Sequence, residues 1–177
     1  MAGIRPAWIG GGLIMVLVVA GTWALRDGDA PEPDHGRLQF LMPLTGGVWY
    51  ERGKQEDEWR SRTEYEWSVN GELLLERAMD PASGAILREG RFFWNGKDQK
   101  LAYEAHLPGG EFRDGLFRAS EGGLELQYNA HQEDGAVASY KLRIRFLEND
   151  EALWTVHRRR TDGYYLDHET TFVRKNR

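Results

Sequence analysis

The 177-residue chain contains no cysteine. It therefore cannot form disulfides, bind a metal through thiolates, use a cysteine nucleophile or carry a lipid on an N-terminal cysteine. The charge balance also limits its partners, because 28 acidic residues exceed 23 basic ones and give a formal net charge of -5. General binding of nucleic acid needs a basic face. We therefore expect no nucleic-acid partner.

The sequence also lacks the common patterns of catalytic and metal sites. None of its five histidines has the His-Glu-x-x-His spacing of a zinc enzyme. It contains no glycine-rich phosphate loop before a helix and no nucleophile elbow. We therefore predict a protein that is not an enzyme, with no catalytic residues and no resident metal.

A long apolar stretch lies near the N-terminus, where residues 7–25 carry no charge. That length can just span the hydrocarbon core of a bilayer. Arg5 precedes the stretch and acidic residues dominate after it, which predicts that the following domain is exported. We predict one transmembrane helix or signal segment over residues 1–26 and a flexible linker over residues 27–36.

Two locations follow from this segment. An uncleaved anchor holds the chain in the inner membrane as a single-pass protein, with the domain on the periplasmic side. A cleaved signal peptide instead releases the domain into the periplasm.

From residue 37 onward the chain consists of short alternating runs separated by turn residues, with no helical period of useful length. Residues 37–42, before Pro43, suggest a short helical turn that closes one end. Asn-Gly and Asp-Gly pairs favour tight hairpins, and closing such a sheet removes its edges. We therefore predict an all-β fold over residues 37–177, an antiparallel up-and-down β-barrel of about ten strands. The strands are expected near 46–53, 58–69, 72–80, 85–95, 99–107, 111–119, 123–131, 136–147, 151–160 and 163–174.

The alternation also predicts which side chains face the lumen. Charged residues must face water, so their neighbours along a strand face inward. Small hydroxyls among aromatic residues are typical of a lumen that holds a ligand, although each hydroxyl can equally bond a neighbour or an ordered water. The candidate lumen residues are Trp59, Ser61, Thr63, Tyr65, Trp67, Tyr140, Tyr164, His168 and Thr170.

One basic run, residues 157–160, lies at the end of a predicted strand. Arg158 and Arg160 are candidates to hold the carboxylate or phosphate head group of a ligand at the barrel mouth. The alternative is a rim whose arginines pair with nearby carboxylates.

Gly47 and Trp49 in the first predicted strand, followed only by hairpins, resemble the opening of lipocalins and related calycin barrels. In lipocalins this tryptophan lies at the closed end under a basic residue from a late strand, and the resemblance assigns that role to Arg174. The chain is more similar to a group of uncharacterised bacterial lipocalin-like domains. The residues that carry this similarity are Phe93-Trp94-Asn95-Gly96, Lys100-Leu101-Ala102-Tyr103 and Gly109-Gly110-Glu111-Phe112-Arg113-Asp114-Gly115.

A weaker similarity connects the chain to the nitrobindin-like haem barrels, which are also ten-stranded. Their proximal histidine lies shortly before the end of the last strand, a position that His168 matches here. The similarity implies a haem barrel with His168 as the axial ligand. The alternative is an ordinary core histidine that hydrogen-bonds a neighbour.

These observations favour an exported, membrane-tethered barrel that binds a small hydrophobic or amphipathic molecule or lipid as a carrier, sensor or sequestering protein. An alternative is an accessory or assembly subunit of a membrane protein complex that uses the barrel as a docking domain. A haem-binding barrel is the second alternative, and otherwise we expect no cofactor.

Overall fold

The computed structural model describes residues 36–55, 58–68 and 70–176 of the chain. Ten antiparallel strands form a closed barrel in which consecutive strands pair and the first strand pairs with the last. The prediction of an all-β, ten-stranded antiparallel barrel is confirmed. The strands are β1 (Val48–Arg52), β2 (Trp59–Trp67), β3 (Leu73–Met79), β4 (Ile86–Asn95), β5 (Lys100–His106), β6 (Phe112–Ser120), β7 (Gly123–His131), β8 (Val137–Phe146), β9 (Glu151–Arg160) and β10 (Gly163–Lys175).

The predicted membrane or signal segment, and all of the predicted linker except Gly36, lie outside the described residues. Within the described part of the chain, no helix has the length and apolar character needed to cross a bilayer.

Tight turns connect the strands at the two ends of the barrel. Gly71 and Gly135 adopt positive φ angles of 71° and 83° in the Asn-Gly and Asp-Gly turns. Glycine adopts such angles without the steric cost that a side chain would impose. The loops that follow β2, β4, β6 and β8 lie at one end, which we call the closed end. The loops that follow β1, β3, β5, β7 and β9 lie at the other, which we call the open end.

A 3₁₀ helix, Gly36–Leu44, packs against β3 and β4 and plugs the closed end. Its apolar side chains join the barrel core, where they pack with Trp49. The indole Nε1 of Trp49 donates a hydrogen bond of 2.8 Å to the carbonyl oxygen of Leu44, which fixes the helix to β1. The buried residues of the helix are Leu38, Leu41 and Leu44.

Arg174 covers this closed end. Its guanidinium carbon lies 5.3 Å from the centroid of the Trp49 ring. Its Nε donates to Asp150 at 3.0 Å, and its Nη1 donates to the carbonyl oxygens of Pro43 at 3.2 Å and Thr45 at 3.3 Å. One side chain of the last strand therefore ties together β1, the helix and the loop between β8 and β9.

A β-bulge in β10 reverses the faces of its first half. Leu166 pairs with His157 and His168 pairs with Val156, so Asp167 is an extra residue without an opposite partner. Because one extra residue moves the preceding side chains to the other face, Tyr164 lies outside the barrel. Its ring contacts Lys141, whose Nζ lies 5.2 Å from the ring centroid. The prediction that Tyr164 faces the lumen was therefore wrong.

A second irregularity between β1 and β2 has the same effect on Trp59. Glu51 pairs with Ser61, but the next residue, Arg52, pairs with Trp59. Trp59 consequently lies on the outer face, where its ring packs edge-on against Tyr50 at 5.5 Å. Its prediction as a lumen residue was also wrong.

Candidate functional site

A cavity of about 360 Å³ occupies the lumen of the barrel. This volume lies near the lower end of the range of about 300–1,000 Å³ that ligand pockets usually have. The wall is mainly apolar and aromatic, with charged and hydroxyl-bearing side chains toward the open end. The principal apolar lining residues are Phe92, Phe117, Leu126, Leu142, Trp154 and Phe172.

Four of the side chains predicted for the lumen line this cavity, namely Ser61, Tyr140, His168 and Thr170. Ser61 Oγ donates a hydrogen bond of 2.9 Å to Glu51, another lining residue. The hydroxyl of this serine is therefore engaged by its neighbour on β1.

Three other residues predicted for the lumen point inward, but they are packed in the core and do not line the cavity. Thr63 is fully buried, and Trp67 packs against the core cluster. Tyr65 is buried, and its hydroxyl donates a hydrogen bond of 3.1 Å to Glu76. These three residues support the wall of the cavity rather than line it.

A buried charged cluster, which sequence reasoning missed, lies on one side of the lumen. Glu76 is only 4% exposed and its carboxylate is held by Arg88, whose Nη2 lies 2.8 Å and Nε 3.1 Å from its two oxygens. The hydroxyl of Tyr103 donates to the same carboxylate at 2.8 Å, in addition to that of Tyr65. The carboxylate thus receives four hydrogen bonds, which compensate its removal from water.

The environment of this cluster stabilises the ionised forms of Glu76 and Arg88. Burial alone would raise the pKa of Glu76, but the charge and hydrogen bonds of Arg88, with those of Tyr103 and Tyr65, outweigh it and lower the pKa below its ordinary value. Burial, reinforced by the negative charge of Glu76, raises the pKa of Tyr65 and of Tyr103 well above 10. Both tyrosines therefore stay protonated and act as donors at neutral pH.

Gly90 provides the space for the Glu76 carboxylate. A Cβ at position 90 would lie 2.8 Å from Oε2 of Glu76 and 3.0 Å from the carbonyl oxygen of Glu104. A glycine in the interior of a strand often marks such a close approach. Gly90 was therefore the residue in the sequence that could have indicated this cluster. The Leu73-Leu74-Leu75 run breaks the apolar–polar alternation, so the sequence did not show that Glu76 faces inward.

A second polar group lies in the wall formed by β6 to β9. The rings of Tyr128 and Tyr140 stack with centroids 5.2 Å apart and planes inclined by 17°. Arg113 and Arg158 flank the pair, with guanidinium carbons 5.4 Å from the Tyr128 centroid and 5.9 Å from the Tyr140 centroid. We call these four residues the tyrosine stack.

The two flanking arginines differ in their ion pairs. Arg113 pairs with Glu111 at 2.6 Å. Arg158 is exposed, and no carboxylate of the described residues lies within ion-pair distance of it; its guanidinium faces the ring of Tyr140. Arg160, the other predicted mouth residue, lies 5.3 Å from the ring centroid of Tyr165.

His168 lies at the open end of the cavity rather than deep among apolar side chains. Its side chain is 57% exposed, and its Nδ1 lies 2.9 Å from the carboxylate of Asp167, the bulged residue. The bulge therefore places a histidine and a carboxylate side by side at the mouth. Across the described residues, no group of three or more potential His or carboxylate ligands is arranged to hold a metal ion.

The chain matches no protein-family model and no curated protein. Among solved structures it is similar to the crystal structure of Rv2717c from M. tuberculosis, with a TM-score of 0.46 and 16% sequence identity. That similarity covers 78% of this chain and 97% of the other. The strand pairing of this chain itself defines the barrel.

Proposed function

We propose that the barrel binds a small amphipathic molecule in its lumen and acts as a carrier, sensor or sequestering protein. The observation that carries this proposal is the cavity of about 360 Å³, which combines an apolar aromatic wall with polar groups near its open end. Ligand pockets typically join a hydrophobic lining to a few fixed polar groups that orient the ligand. The cavity volume favours a compact molecule over a long-chain lipid.

The proposal includes export of the domain. Its support is the uncharged stretch of residues 7–25 and the distribution of charge around it. The barrel is then held at the periplasmic side of the inner membrane, or released into the periplasm if the segment is cleaved.

A lumen-filling substitution tests the binding function. Ala78 is buried and lines the cavity, so Ala78→Trp places an indole where the ligand would lie. Native mass spectrometry of the full-length chain extracted from membranes should show a co-purifying small molecule with the unchanged protein. We expect its occupancy to fall at least about tenfold in the variant, because an overfilled pocket cannot accept the ligand without repacking.

Leu75→Trp is the matched control, because Leu75 lies on the same strand but is exposed outside the barrel. It should retain the bound mass, and circular dichroism must show both variants folded. An unchanged protein that carries no small molecule, but co-purifies with a stoichiometric protein partner, would refute the proposal and support a docking subunit instead.

Haem is a second candidate ligand, favoured by the position of His168. A neutral histidine whose Nδ1–H donates to a carboxylate can offer Nε2 to iron, and Asp167 is placed to accept that hydrogen bond. The apolar wall suits a porphyrin, and Arg158 and Arg160 on the rim are suitable partners for carboxylate substituents. Bound haem would supply an iron centre for ligand or redox chemistry.

The haem candidate requires a Soret band in the absorption spectrum of the full-length protein. We expect His168→Ala to abolish that band, because it removes the axial nitrogen. His106→Ala is the control, since His106 is exposed and should leave the band unchanged. A band that persists in His168→Ala, or no band after reconstitution with haem, would exclude this role for His168.

A further inference from the structure

We propose that the tyrosine stack is a subsite for a carboxylate, so that the lumen ligand is a small carboxylic acid. This inference rests on the proposed binding function and names the chemical class of the ligand. Tyr128, Tyr140 and Arg113 line the cavity, whereas Arg158 is exposed beside it. Arg158 stands directly opposite Tyr140 on the neighbouring strand.

Unsatisfied hydroxyls are the first reason. Tyr128 and Tyr140 line the cavity, and no described residue hydrogen-bonds the hydroxyl of either. The hydroxyls of Tyr65 and Tyr103, in contrast, are both used by Glu76. Both hydroxyl oxygens are accessible to solvent, so they can donate hydrogen bonds to a molecule bound in the cavity.

The local charge is the second reason. Burial raises the pKa of Tyr128, while the positive charges of Arg113 and Arg88 act against this rise, which places both guanidinium groups within electrostatic reach of its hydroxyl. Since tyrosine is protonated at neutral pH, the hydroxyls donate hydrogen bonds toward an anion.

The arginines around this wall differ in whether they have an ion-pair partner. Arg88 is compensated by Glu76 and Arg113 by Glu111. Arg158 is left without an ion-pair partner among the described residues beside this wall. A carboxylate can accept bidentate hydrogen bonds from such an exposed guanidinium at the rim of the cavity.

The opposite side of the cavity suggests an alternative ligand, an amine. Glu51 and Asp167 line the part formed by β1 and β10, where Ser61 and His168 hydrogen-bond them. An amine would bind there rather than at the tyrosine stack. The two sides of the lumen therefore favour different ligands. For one carbon skeleton, the tyrosine stack should favour the acid and the side with Glu51 and Asp167 should favour the amine.

Matched probes distinguish the two. The full-length chain in lipid nanodiscs would be titrated by calorimetry with octyl and naphthyl compounds, each as the carboxylic acid, the alcohol and the primary amine. Only heat that disappears in Ala78→Trp counts as lumen binding. For at least one skeleton, we expect the acid to bind about tenfold more tightly than the alcohol, and the amine most weakly.

Substitutions then locate the head group. Tyr128→Phe and Tyr140→Phe keep the stacked rings and remove one hydroxyl each, so each should weaken acid binding about fivefold and alcohol binding less than about twofold. Arg158→Gln should weaken the acid by a similar or larger factor. Tyr50→Phe, on the outer face, is the control and should change neither.

Each result decides between the two proposals. Lumen binding without preference for the acid, or with preference for the amine, overturns the carboxylate subsite and leaves the binding function standing. Acid binding that survives both phenylalanine variants unchanged also overturns it. No lumen binding by any of the six probes, together with no co-purifying mass, removes both proposals.

Discussion

Glu76→Gln is expected to lower the free energy of unfolding by about 3 kcal/mol, since removing one partner of a buried ion pair leaves the other charge uncompensated. Arg88 would lose its carboxylate in a side chain that is only 20% exposed. The hydroxyls of Tyr65 and Tyr103 would keep only an amide oxygen as acceptor. Urea unfolding of the full-length chain, followed by tryptophan fluorescence, measures this loss.

Removal of the whole cluster should be milder than removal of its centre. Replacing a complete buried polar group with apolar residues of similar size is often neutral or stabilising. The combination of Glu76→Leu, Arg88→Met, Tyr65→Phe and Tyr103→Phe should therefore recover at least about half of the loss caused by Glu76→Gln. If the fourfold variant is the less stable of the two, the cluster contributes net stability and this interpretation is wrong.

The pH dependence gives an independent check on Glu76. Its folded-state pKa lies below its unfolded value, so its contribution is complete above the unfolded pKa of about 4.3 and is lost as the pH falls through the folded pKa. The Glu76→Gln variant has no carboxylate at this position, so its stability does not include this pH-dependent contribution. The stability difference between the two proteins should therefore be constant above about pH 5 and narrow in more acidic solution. A difference that widens there would contradict the assignment.

Trp49→Ala is expected to destabilise the barrel by about 4 kcal/mol, the size usual for removing a buried large aromatic side chain. Trp49 is fully packed, hydrogen-bonds the carbonyl of Leu44 and lies under Arg174. Its loss leaves a cavity at the closed end and frees the 3₁₀ helix from β1. Chemical denaturation provides the measurement.

Trp59→Ala is the control for this substitution. Trp59 is half-buried on the outer face and contacts Tyr50 and Lys175, so its truncation should cost about 1 kcal/mol. A loss in Trp49→Ala no larger than that in Trp59→Ala would mean that the closed end is not fixed by its tryptophan.

The fold could be predicted from the sequence because its signals are local. Turn pairs such as Asn70-Gly71 and Asp134-Gly135 separate runs of period two, and the strands begin and end within a few residues of the predicted bounds. The turn predicted at residues 37–42 is the 3₁₀ helix, which continues through Pro43 to Leu44.

The site was harder to predict from the sequence because it depends on the register between neighbouring strands. The prediction put Trp59 and Tyr164 on the wrong face of the barrel. Each lies beside a bulge, and a single extra residue reverses the alternation without leaving a signal in the sequence. The pairing of Glu76 with Arg88 required the register between β3 and β4. The tyrosine stack likewise exists only because Tyr128, Tyr140 and Arg158 stand opposite one another on three strands.

The contact between β1 and β10 has a consequence for how the protein folds. Every other pairing in the barrel joins consecutive strands, whereas Val48 faces Lys175 across the seam. Contacts between residues so distant in the chain are costly in loop entropy and form slowly. We expect a meander of hairpins to form first and the seam to close last. Arg174 reaches Trp49 only at that step, so sealing of the lumen and completion of folding are one event.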